Sequence, residues 1–185
     1  MRRIQRFRTF GEEAFELSGM AWVRVLVGAV WLNGAIEKFL NPEFPRQFAA
    51  GLDAGGFISQ APSWFQGFMR DTVVPNAETA AQLARFGELA LGLALILGLL
   101  TNPAALGSIL FSLAIFFSQG GARIGTGLAE PEFLTINLLV ALISLVVLFS
   151  PAAKALSLDA ALAHHRPRLS PLLLNRRAGR RRSRA

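Results

Sequence analysis

The chain has 185 residues, of which 52% are apolar and only 17% charged, and its mean hydropathy is +0.43. A soluble domain carries about a quarter charged residues, so this composition argues against a soluble enzyme, and the length allows one domain with a tail. Cysteine is absent and histidine occurs twice. These counts exclude disulfides, iron–sulfur clusters, cysteine-ligated zinc and a haem held between paired histidines within the chain.

The net charge of +7 belongs to the C-terminal end of the chain. Residues 1–150 contain ten basic and eleven acidic side chains, whereas residues 151–185 contain nine basic side chains and a single acidic one, Asp159. The high isoelectric point therefore describes the tail and says little about the body of the protein.

Residues 1–18 predict an interfacial helix rather than a cleaved signal peptide. Their basic start is interrupted by Glu12, Glu13 and Glu16, and no small-residue cleavage site follows the first apolar run. Apolar side chains fall roughly on one side of a helix at Ile4, Phe7, Phe10, Ala14 and Phe15. We favour a helix that lies in the membrane interface, and a disordered start is the alternative.

Four apolar runs follow that are long enough, or nearly so, to cross a bilayer. They are Met20–Leu40, Gln82–Leu100, about Ala104–Ser118 and Glu132–Ser150. The third is the shortest, about 22 Å for its helical residues, but Thr101–Asn102–Pro103 leaves room only for a tight turn, so the second and third runs form a helical hairpin. The sequence therefore predicts an all-α, integral membrane four-helix bundle over residues 19–150.

The distribution of basic residues predicts the orientation of these spans. Four arginines precede the first span, and Lys154 and the arginine-rich tail follow the fourth. The loops on the opposite side are poorer, with two arginines in residues 41–81 and one in residues 119–131. The positive-inside rule then places both termini in the cytoplasm, which agrees with an even number of spans.

The loop of residues 41–81 is too long for a simple connection and too rich in aromatic residues and proline for a disordered linker. Its aromatic side chains are Phe44, Phe48, Phe57, Trp64, Phe65 and Phe68. Loops of this length are usually functional or disordered. The composition predicts a segment that lies on the outer membrane surface or folds over the mouth of the bundle.

Small and polar side chains mark the faces along which the spans pack. In the first span one helical stripe holds Arg24, Gly28, Trp31, Ala35 and Lys38, with Asn33 and Glu37 on the opposite face. Two ladders of small residues, Ala90–Ala94–Gly98 and Ala104–Ser108–Ser112, predict that the second and third spans meet through them. Arg24 is expected to extend to the cytoplasmic headgroups.

Polar side chains of three spans fall at a similar depth under this orientation, at most about 10 Å below the outer ends of their helices. They predict a polar pocket in the outer half of the bundle, built from Asn33, Glu37, Lys38, Glu88 and Asn137, with Gln119 at the top of the third span. Glu88 requires a partner or a proton in hydrocarbon, and Lys38 is the best candidate by depth. Over such a pocket we favour a structural polar cluster that pairs the helices and fixes their register, with Glu88 as the exception. No motif for nucleophilic catalysis or phosphate binding is present, so no catalytic residue is assigned.

The tail of residues 151–185 is predicted to be cytoplasmic and basic. A short surface helix is compatible with Lys154–His165, and eight arginines follow, namely Arg166, Arg168, Arg176, Arg177, Arg180, Arg181, Arg182 and Arg184. We favour attraction to anionic lipid headgroups, about 1 kcal/mol per basic residue, over docking of a partner protein or nucleic acid. The adjacent His164 and His165 are interpreted as a solvated helix end, so no metal site is predicted.

The spans also carry recognisable short motifs. The first contains Arg24-Val-Leu-Val-Gly28 with Gly34 and Lys38, and the second contains Glu88-Leu-Ala-Leu-Gly92 and Ile96-Leu-Gly98-Leu-Leu-Thr101. Over about residues 20–150 this pattern resembles the DoxX family of small bacterial membrane proteins. The outer loop, which ends before Val73–Pro75, is similar to that of the related DoxD large subunit of thiosulfate:quinone oxidoreductase.

The resemblance implies a four-helix bundle in the bacterial cytoplasmic (inner) membrane, linked to redox processes through quinones or through partner proteins. It supplies no agreed set of catalytic residues. A quinone is accordingly the candidate cofactor, and other membrane or peripheral subunits are the expected protein partners.

Two functions stay open at this point. The chain is either a quinone-linked subunit of an oxidoreductase, in which Glu88 and Lys38 handle protons, or a non-catalytic accessory subunit that packs against and stabilises a larger membrane complex. A small transporter ranks lower, because the sequence shows no inverted repeat and no broken helices with paired glycine or proline.

Overall fold

The computed structural model describes residues 2–52, 57–121 and 135–165. Within these ranges the chain is helical and has no strand, which confirms the predicted all-α class. Helix α1 is continuous over Arg2–Leu40, with no break near residue 18. The N-terminal segment is therefore helical and joined directly to the first span, and its position in the membrane interface stays a prediction.

Among the described residues, three stretches of helix are long and apolar enough to cross a membrane, namely Gly19–Leu40, Ser63–Leu97 and Thr101–Ser118. The fourth helix of the bundle is shorter in the described residues, Ile136–Phe149, and its predicted start at Glu132 lies outside them. It packs against the third span and against α1. Large apolar side chains face outward on all four helices, with Leu26 63%, Leu83 69% and Leu110 61% exposed, as lipid-facing positions require.

In its described part, the outer loop forms three short helices, α2 (Phe44–Leu52), α3 (Phe57–Gln60) and α4 (Ser63–Phe68). A π-helical turn over Met69–Val73 and a 3₁₀ turn then lead directly into α5 (Ala77–Leu97). Helix α2 packs on α5, and α3 packs on α6 (Thr101–Ser118). Of the two predicted placements, the structure therefore shows the loop folded over the bundle.

Helices α1 and α5 form the closest pair in the bundle. A Cβ atom added to Gly28 would lie 2.8 Å from the backbone N of Ile96, and one added to Gly92 would lie 2.8 Å from the backbone N of Leu32. These distances are shorter than real Cβ contacts, so both positions require glycine for the two backbones to approach. Arg24, Gly28, Trp31 and Ala35 are all buried on this side of α1, which confirms the predicted stripe.

The predicted meeting of the two small-residue ladders is wrong. Ala90 is exposed, and Ser108 on α6 points instead toward α1 and α7 (Ile136–Phe149). The indole Nε1 of Trp31 donates to Ser108 Oγ at 2.6 Å, and Ser108 Oγ lies 2.7 Å from Ser144 Oγ. A hydroxyl in an apolar core needs a partner, and here the partners are supplied by other helices rather than by α5.

The expectation that Arg24 extends to the headgroups is also wrong. Arg24 is only 1% exposed, and its Nη2 donates to the carbonyl oxygen of Leu156 at 3.2 Å. A 3₁₀ turn, Ala152–Lys154, and helix α8, Leu158–His165, fold back against the end of the bundle that carries the α5–α6 turn. We call this the inner end, after the predicted orientation, and the opposite one the outer end. Arg24 is covered by this returning segment, so it cannot reach the surface.

Candidate functional site

A cavity of about 500 Å³ lies at the outer end, between α1, α2, α5 and α6. Its walls are mainly aromatic and aliphatic, and five phenylalanines line it, namely Phe44, Phe48, Phe65, Phe68 and Phe111. This volume is within the range of sites that bind drug-sized molecules. The aromatic walls follow from the outer loop, because α2 and α4 bring four of the five rings over the bundle.

The cavity extends along the axes of α5 and α6. On α5 its lining runs through Ala80, Ala84 and Glu88, one residue per turn, and on α6 it runs from Phe111 to Gln119. Eight residues of helix correspond to about 12 Å. Glu88 and Phe111 therefore mark the deep end of the cavity and Gln119 its rim, while the two alanines leave the space between them open.

An ion pair between Lys38 and Glu88 occupies the deep end. Lys38 Nζ lies 2.8 Å from Glu88 Oε2, with the two side chains 25% and 4% exposed. The ammonium also donates to the carbonyl oxygen of Gly34 at 3.3 Å and lies 5.6 Å from the centre of the Phe44 ring. A Cβ atom at position 34 would lie 2.9 Å from Glu88 Oε2, so a glycine there lets the carboxylate approach α1.

The other predicted members of the polar pocket are placed differently. Asn33 Nδ2 donates to Glu37 Oε1 at 2.7 Å, and this exposed pair lies on the opposite face of α1, outside the lining. Asn137 Nδ2 donates to Gln119 Oε1 at 3.0 Å. The structure thus brings Lys38 and Glu88 into the cavity and connects Asn137 to it through Gln119. The eight predicted tail arginines lie outside the described residues, and their docking role stays a prediction.

Sequence reasoning missed the contribution of α2, which supplies Phe44, Gln47, Phe48 and Leu52 to the lining. The signal was present, because Phe44, Phe48 and Leu52 recur at intervals of four residues and so form one apolar helical face. What the sequence did not indicate is the element against which this face packs.

The arrangement suits binding of a flat, apolar molecule that carries polar atoms. Aromatic walls stack on planar rings, and the ammonium of Lys38 donates hydrogen bonds to oxygen acceptors. Glu88 has an acceptor carboxylate in water-poor surroundings, where electrostatic interactions are stronger than in water. Together the two ionisable groups allow proton exchange with a bound molecule.

Comparison with known proteins gives one positive finding. No curated protein and no protein of solved structure is significantly similar to the chain. The family model DoxX matches residues 19–121, which is more than half of the sequence and includes α1 from Gly19, the outer loop, α5 and α6. The chain therefore belongs to the DoxX family of membrane proteins.

Proposed function

We propose that this protein is the quinone-linked membrane subunit of a larger redox complex in a bacterial cytoplasmic membrane, and that it binds a quinone in the outer cavity. The observation that carries the proposal is the Lys38–Glu88 ion pair at the deep end of an apolar, phenylalanine-lined cavity. Intramembrane ionisable residues are costly in hydrocarbon, and they commonly mark functional sites.

The residues fit such a ligand. A quinone supplies a planar ring with two carbonyl oxygens and takes up two electrons and two protons when it is reduced. The phenylalanine rings would stack on the ring plane, Lys38 Nζ would donate to a carbonyl oxygen, and Glu88 would hold or pass a proton beside it. Because the sequence contains no cysteine, we assign the electron donor to a partner subunit with its own redox cofactor.

The layer beneath the cavity supports proton exchange with the outer side. Buried apolar residues fill the bundle there, including Val27, Leu95 and Val147. The hydroxyls of Ser108 and Ser144 are bonded to each other. This layer separates Glu88 from the buried charges of the inner end, so protons would reach the cavity through its rim.

Binding of a short-tailed quinone to the purified chain in detergent tests the proposal. We expect wild-type protein to bind it, and Glu88→Gln and Lys38→Met each to weaken binding about tenfold or more, since hydrogen bonds to charged groups contribute about 1.5–3 kcal/mol. Glu78→Gln is the matched control, because Glu78 is exposed in the first turn of α5 and does not line the cavity. Unchanged affinity in both cavity variants would refute the site.

The same purification tests the alternative, a non-catalytic accessory subunit. A chain that copurifies with a stable membrane complex but binds no quinone, alone or in that complex, would assign it a purely structural role. Quinone binding by the isolated chain would exclude that role as a complete description.

A further inference from the structure

Two glutamines of the cavity lining are held by asparagines in the same way. Gln119, at the C-terminal end of α6, accepts at Oε1 from Asn137 Nδ2 at 3.0 Å. Gln47, on α2, accepts at Oε1 from Asn41 Nδ2 at 2.8 Å. Both glutamines line the cavity. In each side chain the carbonyl oxygen is already bonded, so the amide group Nε2 is left as a donor.

These Nε2 groups have no hydrogen-bond partner among the residues that the structure describes. A primary amide nitrogen carries two N–H donors. Both glutamines are exposed to solvent. A ligand that displaces water from these N–H groups has to offer an acceptor in its place, because a donor left unpaired on binding is unfavourable. Gln119 therefore favours a ligand with an oxygen acceptor at the rim.

The deep end of the cavity also presents a donor. The ammonium of Lys38 has three N–H groups. It donates one to the carbonyl oxygen of Gly34 and forms an ion pair with Glu88 Oε2, so at least one N–H group is left for a ligand. The cavity therefore has donors at both ends and phenylalanine rings between them, over a length of about 12 Å.

From this arrangement, and resting on the proposed function, we infer that the ligand carries a carbonyl acceptor at each end of a planar ring system. Gln119 is a specificity-determining residue that binds the outer carbonyl, Lys38 binds the inner one, and Gln47 is a further specificity-determining donor of the lining. Asn137 and Asn41 are positioning residues, since each keeps the carbonyl of its glutamine occupied and the amide N–H groups free. The acidic Glu88 at the deep end disfavours ligands with a negative charge there.

Calorimetric titration of the full chain in detergent with two probes tests this inference. The probes are 1,4-naphthoquinone, with two carbonyls, and 1-tetralone, which keeps the fused rings but only one carbonyl. Wild-type protein is expected to bind naphthoquinone at least about fivefold more tightly, which corresponds to one net hydrogen bond. Equal affinity for both probes would overturn the inference and leave the proposed function standing. Failure to bind either probe would overturn the proposed function and this inference with it.

Variants then identify the residues that cause the preference for naphthoquinone over tetralone. Gln119→Met together with Gln47→Met should reduce the ratio of the two affinities to about one, and Asn137→Leu should reduce it partly, because the Gln119 amide is then free to turn. Gln82 lies on α5 and does not line the cavity, so Gln82→Met, which also removes a side-chain amide, should keep the wild-type ratio of the two affinities. A ratio that survives in the double glutamine variant would contradict the assignment. A purely structural role of these residues would lower both affinities equally and leave the ratio unchanged.

Discussion

The carboxylate of Asp159 caps the N-terminus of helix α6 from a position 58 residues further along the chain. Its Oδ2 accepts from the backbone N–H of Thr101 at 2.7 Å, and its Oδ1 accepts from that of Leu100 at 2.9 Å. Helix α6 has no capping side chain of its own, and the first N–H groups of a helix need external acceptors. A negative charge at this end also interacts favourably with the helix dipole.

The same segment supplies the opposite charge to the neighbouring helix. Lys154 Nζ donates to the carbonyl oxygen of Leu148 in the last turn of α7 at 2.7 Å. Helix α6 starts and α7 ends at the inner end of the bundle. The negative charge of Asp159 at the start of α6 and the positive charge of Lys154 at the end of α7 therefore match the dipoles of both helices. The residues after the fourth span therefore complete the fold of the bundle.

Replacing Asp159 by alanine should destabilise the protein. The variant leaves two backbone N–H groups without their acceptor and removes the negative charge beside the buried Arg24. Loss of a cap and of a buried charged partner suggests about 2–4 kcal/mol. Denaturant titration in mixed micelles measures it, with Asp71→Ala at an exposed position as the control. Equal unfolding midpoints for the two variants would show that the cap contributes nothing.

The buried amine of Lys154 should make stability depend on pH. Burial, partly offset by Asp159, lowers the pKa of Lys154 from 10.5 to about 8. Between pH 8 and 10.5 the unfolded chain then binds more protons at this site than the native one, so the free energy of unfolding rises with pH across that window. The rise is at most about 3 kcal/mol. The rise should appear when the free energy of unfolding of Lys154→Met is subtracted from that of wild-type protein at each pH. A difference that does not change with pH would contradict the prediction.

The Lys38–Glu88 pair could be predicted from the sequence, whereas the Asp159–Thr101 cap could not. Helical periodicity and depth in the bilayer are properties of each span by itself, so they place two ionisable residues at one level without knowledge of the packing. The cap joins residues 58 positions apart, and no local pattern marks Asp159 as more than an acid in a basic tail. The wrong partner for Ser108 has a similar cause, because a ladder of small residues specifies close packing and does not specify the neighbour.

Adding a single methyl group at Gly92 should disrupt the α1–α5 contact. Its Cβ would lie 2.8 Å from the backbone N of Leu32, and a backbone atom cannot move aside as a side-chain end can. We expect Gly92→Ala to lower stability by about 1–3 kcal/mol, as overpacking does. Gly87→Ala on the same helix meets no atom within 4 Å. It should be neutral or slightly stabilising because alanine favours helix, and a similar loss for both variants would argue against the close approach.

Removing one member of the Lys38–Glu88 pair should destabilise the protein more than removing both. Glu88→Gln leaves the ammonium of Lys38 without its counterion, and Lys38→Met leaves the nearly buried carboxylate unpaired. Breaking a buried pair costs about 3–5 kcal/mol, whereas replacing both members is often close to neutral. Since Lys38 is partly exposed, the lower end of that range applies to Glu88→Gln. Unfolding of the two single variants and the double variant measures the coupling, and strictly additive losses would show that the ion pair makes no net contribution.

Labelling of single cysteines should place the cavity on the extracytoplasmic side. The chain has no cysteine of its own, so an introduced one is the sole target. Asp71, in the π-helical turn at the outer end, and His164, near the end of α8, are both exposed. In spheroplasts, a membrane-impermeant maleimide should label Asp71→Cys at once and His164→Cys only after permeabilisation, because the positive-inside rule places the arginine-rich end in the cytoplasm. The reverse pattern would invert the orientation, and protons would then reach Glu88 from the cytoplasm.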